Sequence, residues 1–363
     1  MKTTSFEMAF IIRVFMNVHT FEIYVNISPE ETRACRNAFY LSAAGQNHYC
    51  YKNKTTGILY YNRWSEHGIQ VSIQKHTNGY CRKMLLRVNP SRLLGNMEAA
   101  ALFAPTSSNM EALVQALDAI VQEIPISQTI HDFKLNRLDL CKNTPVNNTV
   151  LLEYIRLLEK GASCTGWNPV TYPDHRASHS FRRENDRYQV TVYDKLYQIS
   201  DQLLSTSWDY PFSLLRLEAS LFSQGIDQQL QQFSLDKYRS WYLLMDALCC
   251  HGEEIMLRLF QRLVPDAPYY TLAKAKERIL WDTDFSSSKK WKLIEFLEKI
   301  NRYAKVDTNS ILQFKNGKKR LKQLRSIGIN PVTIEARAGI SYLPSLPQLV
   351  SIGFVPPADD PAE

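Results

Sequence analysis

Three short segments of this 363-residue chain place a reactive polar group inside an apolar, strand-like run: Leu135-Asn136-Arg137-Leu138-Asp139-Leu140, Val190-Thr191-Val192-Tyr193-Asp194-Lys195 and Leu214-Leu215-Arg216-Leu217-Glu218-Ala219. In the first and third, an acid follows an arginine at the second position. On a strand, residues i and i+2 point to the same face. Arg137 with Asp139, and Arg216 with Glu218, are therefore expected as same-face pairs. Charge in the middle of a strand is costly unless it is paired or holds an ion. Two carboxylates brought together suit Mg²⁺ or Mn²⁺, which take oxygen ligands. Two structural Arg–carboxylate pairs would also satisfy the pattern. Tyr193 closes its strand, with Lys195 two positions on. A tyrosine oxygen can attack a phosphodiester when a metal draws charge from the phosphate and a cation favours the phenolate. Among nineteen tyrosines, plain packing is the competing account of this one.

The surrounding sequence supplies elements that could hold these groups. Met8–Val18 and Phe21–Ile27 have strand character, and Ser28-Pro29-Glu30-Glu31 opens a helix running to Leu41. Ile58–Tyr61, Ile69–Lys75 and Met84–Val88 are expected strands between turn residues. Asn89-Pro90 stops the last one, and Ser91 is expected to cap a short turn ending at Gly95. In Asn109–Glu123 the apolar residues Met110, Leu113, Val114, Leu117, Ile120 and Val121 recur at helical spacing. Ile130–Leu140 alternates as a strand, Thr149–Lys160 is an expected helix, and Tyr188–Tyr193 and Leu214–Phe222 are strands flanking a helix over Lys195–Ser205. After Gly225 helical patterns dominate: Asp236–Cys249, Glu253–Leu263, Leu272–Ile279, Lys290–Tyr303 and Lys318–Ser326. The fold expected is α+β, a central antiparallel sheet with helices on one face, followed by a helical region. The expected division is a first domain over 1–224, a helical basic region over 225–340, and a disordered, Pro-rich, acidic tail over 341–363.

Composition narrows the classes. The chain is 45% apolar and 22% charged, an ordinary globular balance. No run reaches eighteen uncharged apolar residues, so no membrane span is expected. The apolar N-terminal run is broken by Arg13 and lacks a cleavage pattern, so it reads as a buried strand rather than a signal peptide. Seven cysteines without a CxxC pair indicate neither a disulfide framework nor a zinc site, and suit a reducing cytoplasm. The net charge is +7, but Ser286–Arg337 alone holds thirteen Lys or Arg against four Asp or Glu, so the remainder is slightly acidic. Charge concentrated in this way suits a polyanion such as DNA, and equally a solvated helix face.

Taken in order, the segments resemble the gene II replication endonucleases of filamentous phages, which are similar to tyrosine rolling-circle initiators of some plasmids. The match rests on a basic, proline-containing turn at Leu86-Arg87-Val88-Asn89-Pro90-Ser91-Arg92-Leu93-Leu94-Gly95. Arg137-Leu138-Asp139 then matches an Arg-Ile-Asp strand, and Tyr193-Asp194-Lys195 a Tyr-x-Lys. Leu215-Arg216-Leu217-Glu218-Ala219 matches a Val-Arg-Phe-Glu-Ala strand. The agreement covers residues 80–222. It implies that Tyr193 attacks the DNA backbone and keeps the 5′ phosphate, freeing a 3′ hydroxyl that primes synthesis. It further implies that Asp139 and Glu218 hold Mg²⁺ or Mn²⁺, that Lys195 lies near the phosphate or phenolate, and that Arg137 and Arg216 orient the carboxylates or touch DNA. The partners implied are origin DNA, duplex and single-stranded, with the host helicase and polymerase, in a bacterial cytoplasm. Lys318, Lys319, Arg320, Lys322 and Arg325 would then contact phosphates.

The sequence departs from such initiators in two places. Where a second acid often follows Arg-x-Asp, it has Cys141, Lys142 and Asn143, leaving Asn143 or His131 as candidates for a third ligand. It has no His-hydrophobic-His pair. His175 and His179 read as loop residues, and Tyr197, one helical turn after Tyr193, as a packing residue. Two other readings stay open: a non-catalytic DNA-binding protein that marks an origin or operator, and a packaging protein whose basic region coats nucleic acid.

Overall fold

The computed structural model describes residues 16–44, 49–75, 82–161, 166–170, 179–203, 213–237, 239–303, 305–306, 311 and 313–352. Its centre is a ten-stranded sheet whose neighbouring strands are all antiparallel. In chain order the strands are β1 (Asn17–Ile27), β2 (Cys50–Lys52), β3 (Leu59–Tyr61), β4 (Ile69–Lys75), β5 (Arg82–Val88), β6 (Lys134–Val146), β7 (Asn168–Pro169), β8 (Ser180–Glu184), β9 (Tyr188–Asp194) and β10 (Ser213–Phe222). Across the sheet they run β2-β3-β4-β5-β1-β6-β10-β9-β8-β7. The two long central strands β6 and β10 lie side by side, and they carry Arg137, Asp139, Arg216 and Glu218.

Period-two alternation gives this sheet two different faces. Phe21, Ile23, Val25 and Ile27 of β1, Leu138 and Leu140 of β6, Leu215, Leu217, Ala219 and Leu221 of β10, and Val190 and Val192 of β9 are buried on one face. The register puts their alternates on the other: Glu22 opposite Arg87 and Arg137, Asp139 opposite Ser220, Cys141 opposite Glu218, and Arg216 between Asn143 and Tyr193. β1 breaks the alternation once. From Val18 to Phe21 it advances three residues while β6 advances two, from Leu140 to Leu138. This bulge at His19-Thr20 aims two adjacent side chains at the polar face, where regular pleating would allow one.

Helices cover the apolar face. α1 (Pro29–Ala43) starts with a reciprocal cap: Ser28 Oγ accepts from the Glu31 amide at 3.1 Å, and the Glu31 carboxylate accepts from the Ser28 amide at 2.7 Å. Its Phe39 stacks on Tyr61 at 4.1 Å. α2 (Pro90–Leu93) is capped by Asn89, whose Oδ1 accepts from the Arg92 amide; Ser91, the expected cap, lies inside the turn because Pro90 already occupies the first helical position. α3 (Ser107–Gln122) and α4 (Asn148–Gly161) follow as expected. α4 is tied to the apolar side by Arg183, which donates to Glu159 at 2.8 Å. α5 (Lys195–Leu203) is the exception to the one-face expectation, since its Tyr197 and Gln198 border the polar face.

The helices after β10 join the same apolar core rather than standing apart from it. These are α6 (Ser223–Gln232), α7 (Trp241–Cys250), α8 (Gly252–Leu263), α9 (Leu272–Trp281), α10 (Ser287–Ile300) and α11 (Gly317–Ser326). Trp241 stacks on Phe21 at 5.4 Å and donates its indole N–H to the Ile130 carbonyl at 3.0 Å. At Gly252 a Cβ would come within 2.3 Å of Met16 Cβ, so only glycine lets α8 start this close to the sheet. The end of α10 attaches at the end of α4, where Lys160 Nζ donates to the Asn301 carbonyl and the Val306 amide to the Lys160 carbonyl, and α11 packs on α10.

The expected disordered tail is corrected over its first twelve residues. β12 (Tyr342–Leu343) pairs with β11 (Tyr269–Tyr270), and α12 (Leu346–Ile352) buries Leu346, Leu349 and Val350. The Pro344 carbonyl accepts from Tyr154, and Ser345 donates to Asp266. Its proline content signals disorder, but Leu346, Leu349 and Val350 at helical spacing bury enough apolar surface to order it. Residues 353–363 lie outside the described residues, as do Met8–Phe15 of the first expected strand, residues 204–205 of the expected 195–205 helix, and His175.

Candidate functional site

A cleft of about 350 Å³ opens on the polar face over β1, β6, β10 and β9. Glu218 and Asp139 lie on its floor, Tyr193 and Thr191 come from β9, and Arg87, Arg137 and Arg182 line its rim. Three of the sequence-predicted residues thus converge. Tyr193 donates its hydroxyl to Glu218 Oε2 at 3.4 Å, and Asp139 shares the cleft with both.

Glu218 Oε2 is the hub. Besides Tyr193 it faces His19 Nδ1 at 3.2 Å and the Cys141 thiol at 3.5 Å. Burial pushes the Glu218 carboxyl up, but the His19 hydrogen bond and the charges of Arg216 and Arg137 outweigh it and hold the group below the usual carboxylate range. Asp139 is almost fully buried; it accepts from Arg137 Nε at 2.7 Å and from the Thr20 hydroxyl. The bulge of β1 thus gives one residue to each carboxylate, His19 to Glu218 and Thr20 to Asp139.

Arg137 and Arg216 divide the two roles expected of them. Arg137 remains on the cleft rim, braced on Asp139 and on Ser220 Oγ at 3.1 Å. Arg216 is fully buried: its guanidinium donates to Asn143 Oδ1 at 2.7 Å and to the Ala100 carbonyl at 2.6 Å. With no exposed surface and the Ala100 carbonyl on its guanidinium, Arg216 cannot touch DNA as the structure stands. Asn143 is spent on the same contact and on Ala100, which removes it as a ligand candidate. His131 sits in a different groove beside Tyr242 and is removed as well.

Tyr193 is 7% exposed. Burial, reinforced by the nearby Glu218 carboxylate, raises its phenol well above the usual range, so at rest the hydroxyl is protonated and acts as a donor. Asp194 then ends the strand and caps the next helix, accepting from the amides of Leu196 and Tyr197. Lys195 points back into the protein. Burial, with Arg216 adding to it, lowers its ammonium to about 8, and Nζ donates to Gln198 at 2.9 Å. Gln198, rather than Lys195, is among the cleft residues. Tyr197 stacks flat on His179, with centroids 3.7 Å apart, and both line the cleft. Tyr197 thus packs and His179 lies in a turn, as expected, but both do so at the edge of the cleft.

The groups able to hold a cation form a mixed donor set. His19 Nδ1, Cys141 Sγ and a Glu218 oxygen lie within 4.8 Å of one another, with Asp139 on the same floor. Burial, with Glu218 adding to it, raises the Cys141 thiol well above its usual value. An imidazole and a thiol beside a carboxylate suit a transition ion better than Mg²⁺, which takes oxygen almost alone. Sequence reasoning missed His19 and Thr20. Their one visible signal is a pair of adjacent polar residues inside an alternating strand, the mark of a bulge. Cys141 was legible as the residue two beyond Asp139 on the same face.

The basic residues of α11 are elsewhere. Lys318, Lys319, Lys322 and Arg325 are exposed, while Arg320 lies over the Phe296 ring at 5.9 Å. Their helix packs on α10, and none of these residues lines the cleft. No protein-family model matches this chain, and no curated protein matches it.

Proposed function

We propose that this protein nicks and rejoins DNA through Tyr193, as the initiator of rolling-circle replication in a phage or plasmid. The observation that supports this reading best is the Tyr193 hydroxyl, 3.4 Å from Glu218, in a cleft that also holds Asp139 and His19 and is rimmed by arginines. A nucleophile, two carboxylates and cations for a phosphate are the parts a phosphoryl-transfer site requires.

Tyr193 Oη would form a bond to phosphorus as the bond from phosphorus to the 3′ oxygen breaks. Its proton leaves toward Glu218, which already accepts it, and passes from there to the departing 3′ oxygen, so the carboxylate is restored. Arg87, Arg137 and Arg182 would hold the phosphate oxygens. Asp139, Glu218 and His19 would hold a divalent cation, Mn²⁺ in preference to Mg²⁺, that draws charge from the phosphate. Arg216 keeps Tyr193 and Glu218 in register without touching DNA. The exposed cations of α11 do not line the cleft, and fit a second contact with duplex DNA.

The test is nicking of supercoiled DNA from the protein's own genetic element with Mn²⁺ or Mg²⁺, run beside Tyr193→Phe and probed for a covalent adduct. Nicking and adduct in the wild type, both absent in the variant, are expected. Nicking that survives the substitution moves the chemistry to Tyr197 or to water. Sequence-specific binding with no nicking by either protein indicates a non-catalytic origin binder.

A further inference from the structure

The polar face does not end at the cleft. Reading the register outward from β1, Glu22 is followed two residues on by Tyr24, which lies opposite Leu85; Leu85 lies opposite Ser72, Ser72 opposite Tyr60, and Tyr60 opposite Tyr51. Each step is a directly facing pair, so these side chains share the face that carries the cleft. Tyr49, two residues before Tyr51, accepts through its carbonyl from the amide of Asn62, just past β3, and continues the row.

Leu85 and Ser72, in the middle of this row, are buried, and the open rings lie at its outer end. Tyr51 and Tyr60 stack at 5.2 Å with their rings 20° apart, and Tyr49 leans on Tyr51 at 5.5 Å. Tyr49 is 55% exposed and Tyr51 44%, so the outer ring faces are open to solvent. Lys83 Nζ sits 3.8 Å above the Tyr24 ring, and exposed Arg87 bridges the stripe to the cleft. From β6 to β2 is five strand spacings, about 24 Å at about 4.8 Å each. That length carries about seven stacked nucleotides at about 3.4 Å each.

We infer that this tyrosine stripe is a binding track for an unpaired nucleic-acid strand leading into the cleft, with bases stacked on Tyr49, Tyr51 and Tyr60 and phosphates met by Lys83 and Arg87. Three features select this occupant. Aromatic rings stack on any base and do not require a particular sequence. A duplex hides its base faces and would leave the rings unused. The cations punctuate the row toward the cleft, as a phosphate backbone crossing the sheet would need. The inference rests on the DNA-nicking reading for the direction of the strand, but its test does not depend on cleavage.

The experiment is fluorescence anisotropy of a labelled twenty-nucleotide oligo(dT), and of a labelled duplex of equal length, titrated with the full chain without divalent cation. Wild type is expected to prefer the single strand. Tyr51→Ala with Tyr60→Ala should weaken that binding about 30-fold or more, while the paired Phe substitutions retain it. Arg87→Gln should lower the slope of log affinity against log salt by about 0.7. Circular dichroism melts of each variant establish that it is folded. Tyr193→Phe should bind the oligonucleotide as wild type does, so loss of nicking and loss of the track are separate results. A folded double alanine variant that binds within twofold of wild type overturns the inference. Equal or tighter binding of the duplex overturns it too, as does self-association that depends on Tyr51 and Tyr60 with no effect on oligonucleotide binding.

Discussion

Leu217 and Glu218 are neighbours on β10, yet they look onto opposite faces of one sheet. Leu217 is fully buried in the helix-covered core, whereas Glu218 is surrounded by His19, Cys141 and Tyr193. The covered face is held by apolar area, which tolerates approximate shape. The polar face is held by donors matched to acceptors, where each missing partner leaves a buried group unsatisfied. Burial therefore does not distinguish the faces. Glu218, Asp139 and Arg216 are as hidden as many core leucines, and what differs is the kind of neighbour that hides them.

The hardest blow to a simple division of labour should come from Arg216→Ala. Arg216 lies on the polar face but is fully buried between Asn143, Ala100 and the site carboxylate. Removing one member of a buried charge set costs about 3–5 kcal/mol, read as a lower urea midpoint. A change below about 1 kcal/mol would show that the polar face contributes little to folding. Leu217→Ala, one position on and facing the other way, should cost about 3 kcal/mol through the cavity it leaves. Whatever cleavage the wild type has should persist in this variant at temperatures where it is folded, and a specific loss in folded protein would blur the two faces.

The covering layer is open to a milder test at Glu31, which closes the α1 cap and also accepts from Ser127. Burial would raise its carboxyl, but hydrogen bonds from Ser28 and Ser127 prevail and hold it at about 2, against an ordinary 4.5. A depressed carboxyl stabilises the fold above its unfolded value and loses that contribution as pH falls from about 4.5 toward about 2. Glu31→Gln should therefore cost about 1 kcal/mol at pH 7, and the gap from wild type should shrink in melts at pH 3. The smallest effect on stability belongs to Tyr193→Phe, less than about 1 kcal/mol, because Glu218 keeps His19 and Cys141 as partners. Paired with complete loss of the covalent adduct, that result would sharpen the contrast most, separating chemistry from folding at a single oxygen.

Much of the sheet was legible because alternation survives in single strands. Ile69–Lys75 forms as read, and Arg137, Asp139, Glu218 and Tyr193 fall on one face because i and i+2 must. Residues 223–232 went unread as a helix because Ser-Gln-Gly and a run of glutamines dilute the apolar period. The tail was misread because its prolines speak louder than Leu346, Leu349 and Val350, whose partners on α8 are some ninety residues away.

The amino-acid sequence alone determined which residues could share a strand face, where charge would be costly, and that an antiparallel sheet with helices would result. All of these follow from local periodicity and desolvation. Only the tertiary structure decided that β6 and β10 are neighbours, that a bulge in β1 brings His19 to Glu218 and Thr20 to Asp139, that Arg216 is sealed beneath Ala100, and that tyrosines from β2 and β3 lie on the face of a cleft that begins three and four strands away at β1. Those are long-range pairings. They depend on how distant strands register against one another, which no short window of sequence contains.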